Sequence, residues 1–141
     1  MSTLKVAKVE SPDTSVGGIT ISSAGLITVA AASGSISPIS VGASDTTKTL
    51  DFTTSNNFAL TLANTSSCTI ANPTGLAAGQ TGSIFLVQDS TGSRVLAFGS
   101  SWEFAGGSAP TLTTTAAAVD RIDFIVRTTT SIHAVFTANY S

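Results

Sequence analysis

The residues able to do chemistry are few, and most of them crowd into one stretch. Gly99 to Tyr140 holds the only Trp, Tyr and His of the chain (Trp102, Tyr140 and His133), and between Glu103 and Asp123 it carries four charged residues: Glu103, Asp120, Arg121 and Asp123. A nucleophile needs a base beside it and a third group to orient that base. His133 is the only imidazole, and it sits mid-strand beside Ala134 and Val135. Asp120 and Asp123 lie three apart in an extended segment, so they leave opposite faces of a strand and cannot flank one scissile bond. Asp45 and Asp51 could share a site only through the accident of folding. Cys68, in "SSCTIANP", has no basic neighbour to lower its pKa and reads as a small buried residue. One His and one Cys, with no calcium-loop pattern, make a metal site a poor expectation. "GLAAGQTG" has glycines but no Lys, and it precedes a strand, so it is no phosphate loop. The six Lys and Arg are scattered and leave no nucleic-acid footprint. The expectation is a non-enzymatic protein without cofactor or metal.

Composition identifies the elements that carry these residues. The chain has 141 residues, 42% hydrophobic and only 10% charged, with a formal net charge of −2. Charged residues usually make up about 25% of a soluble domain. Ser and Thr fill the deficit, with 21 and 23 copies. Both compete poorly in helices and sit well on a pleated surface. An all-β fold follows. A surface so poor in charge resists association weakly, which suits a protein whose faces are covered by copies of itself or by a larger assembly. The opening residues lack the long apolar core of a secretory leader. The longest mostly apolar run, Gly25 to Ala32, is too short to span a bilayer, so no membrane contact is expected.

Patterning divides the chain into an arm, residues 1–45, and a domain, residues 46–141. In the arm, "LKVAKVE" is a strand candidate carrying Leu4 and Val6, and "SPDTSVGG" is a turn cluster. "ITISSAGLITVAAA" reads as two short strands, with Ile19, Ile21 and Ile27 as candidate assembly contacts. "SGSISPISVGAS" follows, with Pro38 barred from a central strand. In the domain, Phe58, Leu60 and Leu62 alternate with polar residues, as do Ile122, Phe124 and Val126. "GSIFLVQD" is nearly continuous apolar sequence, as in a strand covered on both faces. The Asp89–Gly92 turn predicts a hairpin between Ile84–Gln88 and "RVLAFG". "TTTS" predicts a second, with Ile132, Ala134, Phe136, Ala138 and Tyr140 pointing inward. About seven short strands so spaced suggest a β-sandwich or jelly-roll-like domain carrying an extended N-terminal β-rich arm.

Within the domain, Gly79 and Gly82, the strand Ile84–Gln88, the aromatic pair Trp102 and Phe104, Gly106-Gly107, Pro110, the Thr-rich stretch 111–115 and Asp120 form an ordered series. This series resembles a segment of tailed-bacteriophage structural proteins that recurs at tail-fibre ends and in small virion proteins. The opening "STLKVAKVES" is similar to the starts of short structural proteins of marine and cyanobacterial phages. The resemblance implies a virion protein and brings no catalytic residues. It implies a homotrimer but does not choose a place on the virion: the expectation is the capsid surface, as a cement or decoration protein that binds the major capsid protein, and the alternative is a short tail fibre or fibre tip that binds a host receptor. The small size favours cement, because a fibre needs an attachment part, a shaft and a tip. Trp102 and Phe104 are expected to cap one end of the core, and Asp120 and Arg121 to pair across strands or across subunits.

Overall fold

The computed structural model describes residues 19–21, 27–29 and 36–140. The chain divides into two compact units, Met1–Gly34 and Ser35–Ser141. In the first, β1 (Ile19–Ile21) and β2 (Ile27–Val29) form an antiparallel hairpin, with Ile21 opposite Ile27 and Ile19 opposite Val29. Leu4 and Val6 lie outside the described residues.

The second unit is all-β, with no α-helix among the described residues. Its strands are β3 (Ile36–Val41), β4 (Thr47–Lys48), β5 (Asn57–Leu62), β6 (Cys68–Ile70), β7 (Thr81–Gln88), β8 (Leu96–Phe98), β9 (Trp102–Phe104), β10 (Val119–Thr128) and β11 (Ser131–Thr137). They form a six-stranded sheet in the order β3-β5-β7-β10-β11-β9 and a three-stranded sheet in the order β4-β6-β8. From β3 to β8 the chain alternates between the two sheets, and every strand lies parallel to its neighbour from the previous circuit. Ile36, Asn57 and Ser83 are register neighbours in one sheet; Thr47, Thr69 and Ala97 are neighbours in the other. Asp51 and Thr74 make a third parallel bridge, on the stretch that returns to the first sheet. This is solenoid-like stacking. The β10–β11 hairpin then adds antiparallel to β7, and β9 closes the sheet parallel to β11.

The all-β expectation holds, but a jelly roll is built from antiparallel strands, and these sheets are mixed. The expected hairpin between Ile84–Gln88 and residues 94–99 does not form: β7 and β8 lie in different sheets. Two side chains explain why. Asp89 Oδ1 accepts the amide hydrogens of Thr91 and Gly92 at 3.0 and 2.9 Å, and the Asp89 carboxylate holds Arg94. Gln88, buried at the end of β7, donates Nε2 to the carbonyls of Arg94 and Thr113 and accepts the Arg94 amide, each at 2.9 Å. The loop is fixed as an arch that delivers Leu96–Phe98 to β6. Gly92 has φ +74°, and a Cβ there would meet the Thr114 carbonyl and the Ala116 amide. The second expected hairpin, β10–β11, is present.

Residues 36–41, read from sequence as part of the arm, form an edge strand of the main sheet. The Val41 carbonyl accepts the Ala63 amide, so by alternation the backbone groups of position 38 point away from β5. Pro38 therefore lacks its N–H on the open side, where it blunts the edge against pairing with another chain.

The core lies between the sheets. Ile39, Leu60 and Leu86 form one interior row, and Phe58, Ile84, Ile122 and Phe136 another. Phe52 stacks on Phe58 at 5.5 Å and packs on Phe124 at 4.8 Å. Gly82 interrupts the apolar run of β7 because a Cβ there would collide with the Asn56 carbonyl and the Phe124 ring. Cys68 is fully buried, as expected, and burial pushes its thiol above its ordinary pKa.

Candidate functional site

Alternation along β10 and β11 sends one set of side chains into the core and the other to the outer face of the six-stranded sheet. Three rows cross that face. Ile36, Asn57, Ser83, Asp123 and Val135 are register neighbours; so are Pro38, Ala59, Phe85, Arg121 and Thr137; Thr81, Ile125, His133 and Glu103 form the third. Ile36, Ile125 and Val135 are large apolar residues left 50%, 49% and 61% exposed.

Several of the charges on this face are satisfied within it. Arg121 pairs with Asp123, Nη2 to Oδ2 at 2.8 Å, and its Nε donates to the same oxygen at 2.9 Å. The Ser83 hydroxyl donates to Asp123 Oδ1 at 2.6 Å. The Arg121 guanidinium lies 4.8 Å from the centre of the Tyr140 ring. His133 Nε2 is 3.2 Å from Glu103 Oε2 across the β11–β9 pair. Such exposed pairs contribute under about 1 kcal/mol each. The Arg121–Asp123 pair has an electrostatic consequence: beside the exposed apolar residues, these two charges are already matched.

Asp120 does not pair with Arg121. It points inward, 2% exposed, in phase with Ile122 and Phe124. Its Oδ2 accepts the Thr113 amide and its Oδ1 the Asn139 amide, both at 2.8 Å. The carboxylate thus ties two peripheral segments to β10. Neighbouring residues of a strand leave opposite faces, which is why the expected pairing fails and Arg121 turns to Asp123 instead. Tyr140 and Ala138, expected inside, are exposed. β11 ends at Thr137, and Asn139 takes φ +57°, so the alternation stops before it reaches them.

Trp102 is 6% exposed. Its Nε1–H donates to the Ala71 carbonyl at 3.1 Å, and its ring meets those of Phe52, Phe98 and Phe124 nearly edge-on. It is a core residue. Phe104 is half-buried and packs edge-to-face on Phe98 at 5.0 Å. A groove of about 500 Å³ opens here, bounded by Phe98, Ser100, Trp102, Glu103, Phe104 and Ser108.

Ile19, Ile21 and Ile27 fall in the β1–β2 hairpin of the other unit. Asp45 and Asp51 do not converge. Lys48 and the Gly42 amide hold Asp45 below its ordinary pKa, and the Thr53 hydroxyl and amide do the same for Asp51. No group of three or more His, Cys, Asp or Glu among the described residues could hold a metal. Among the buried polar residues, the sequence pointed to no structural role for Gln88 or for Asn64, which donates to the Ser66 and Val95 carbonyls. A Gln ending an apolar run was the available signal for the first.

No protein-family model matches the chain, and neither curated proteins nor solved structures give a significant match.

Proposed function

We infer that the chain is a non-enzymatic structural protein of a tailed-phage virion, a capsid cement protein that bridges major capsid subunits from the outside. The observation that carries this reading is the outer sheet face, where Ile36, Ile125 and Val135 stand exposed and the Arg121 and Asp123 charges are matched within the face. A monomer gains nothing from leaving these side chains in water; contact with a neighbour gains roughly 25 cal/mol for each Å² of apolar surface covered. The sparse charge of the chain and the phage-like series from Gly79 to Asp120 support the same reading. In this proposal the domain is a homotrimer. Capsid shells lacking the protein, mixed with the purified chain, should bind it. Ile125→Thr with Val135→Thr, which keep strand-forming side chains, should sharply weaken that binding while changing the melting temperature little. Binding unaffected by the double substitution would refute the assignment of this face.

A short tail fibre or fibre tip is the second reading, favoured by the parallel coiling from β3 to β8, a path that can be extended into a shaft.

A further inference from the structure

We propose that the outer face of the six-stranded sheet receives an uncharged, apolar surface of the capsid shell, with no acidic or basic patch in the contact. This rests on the cement reading above and names the chemistry of the partner. β3, β5 and β7 contain no charged residue, so half of the strands of this sheet present neither sign to their surroundings. Their outward positions include Ile36, Ser40, Ala59, Thr61 and Phe85. A face kept in water ordinarily carries Lys, Arg, Asp and Glu at about a quarter of its positions or more.

The other three strands add charges that cancel. Arg121 and Arg127 stand against Asp123 and Glu103, with His133 counted as neutral. Asp120, the remaining charged residue of these strands, points inward. Glu103 lies on the edge strand β9 and Arg127 at the hairpin end of β10, so both are at the margin of the face. The pair nearer the middle is complete in itself. Asp123 accepts three hydrogen bonds, from the Ser83 hydroxyl at 2.6 Å and from Arg121 Nη2 and Nε at 2.8 and 2.9 Å, and the Tyr140 ring lies against the guanidinium. A carboxylate bonded in this way keeps its partners when water leaves, so covering it costs far less than covering a lone charge. Tyr and Arg are also among the side chains that most often dominate binding. A charged group on the partner would meet no unmatched charge in the middle of the face, and the loss of its own hydration would go uncompensated.

The test places a charge of each sign at one position. Thr61 is exposed on β5, between Ser40 and Val87, and its substitution touches no core residue. Urea unfolding checks that each variant keeps its fold. Binding of the full chain to purified capsid shells that lack it should weaken at least about tenfold in both Thr61→Lys and Thr61→Glu. Thr61→Val adds no charge and suits a strand equally, so it should bind within about twofold of the parent. The parent's affinity should change less than about threefold between roughly 50 and 500 mM NaCl, because no charge pair across the contact is there to be screened. Tighter binding with either sign, or a steep loss of parent binding with salt, would reveal a charged partner surface and overturn the inference while leaving the cement reading intact. Equal binding by all three variants would overturn it as well, by putting Thr61 outside the contact. Failure of the parent to bind shells would remove the cement reading, and this inference with it. If both charged variants instead dissociated an oligomer of the free chain in sedimentation, the face would belong to a second copy, and the shell would be overturned as its occupant.

Discussion

Replacing Trp102 separates a core residue from a surface platform. The ring is 6% exposed, its indole N–H is bonded to the Ala71 carbonyl, and three other aromatic rings meet it. Trp102→Ala removes the ring and leaves a cavity between β9 and the Phe52–Phe124 pair, a loss of about 3–5 kcal/mol. For a unit of this size each kcal/mol corresponds to about 4–6 °C, so melting should fall by roughly 12–30 °C. Against a total stability of about 5–15 kcal/mol, the variant is marginal at best. Trp102→Phe is the finer probe. It keeps most of the ring but strands the Ala71 carbonyl, at about 1–3 kcal/mol. Far-UV circular dichroism in a urea series measures both, since the substitution removes the fluorophore. A Trp102→Ala protein that melts within ~3 °C of the parent would refute the core assignment. If it also lost partner binding, the ring would be a surface platform.

Three further outcomes follow from single residues. Gly82→Ala puts a methyl group onto the Asn56 carbonyl, so denaturant unfolding should show a loss at or above the top of the usual ~1–3 kcal/mol for overpacking; a neutral result would mean that β5 and β7 are not held as described. Asp120→Asn can still accept one of the Thr113 and Asn139 amides but turns a donor toward the other, which should cost about 2–3 kcal/mol and speed hydrogen exchange at both amides. Asp89 is lowered from 3.8 to about 2, chiefly by its bond to Arg94. A depressed carboxylate stabilises the fold above its unfolded pKa, so this contribution is complete above about pH 4 and disappears as the pH falls toward 2. Melting followed from pH 5 to pH 2 should therefore fall less steeply in Asp89→Asn than in the parent, and parallel curves would disprove the linkage.

The strands were legible because period-two patterning states which face a residue takes. Phe58, Leu60 and Leu62, and again Ile122, Phe124 and Val126, are inside as their spacing requires. The same pattern does not state which strand is the neighbour or which way it runs, so a parallel coil and an antiparallel sandwich look alike. Short turns suggested hairpins, yet the arch after β7 is fixed by local bonds of Asp89 to Gly92 and of Gln88 to Arg94, together with the reach of Gln88 to Thr113, which only the fold brings near. Asp120 was readable in principle. It is in phase with Ile122, but a carboxylate in a row of apolar residues invites an ion-pair reading before a backbone-clamp one. The outer face could be read from alternation at Arg121, Asp123, Ile125 and His133. The groove could not, because it is shaped by the turns around β9.

The most direct test of the proposed role is the copy number of this chain relative to the major capsid protein, by quantitative mass spectrometry of purified virions that carry it. A ratio near one is the predicted result, as expected of a protein that covers the shell. A ratio of a few per hundred would contradict it and move the chain to the tail.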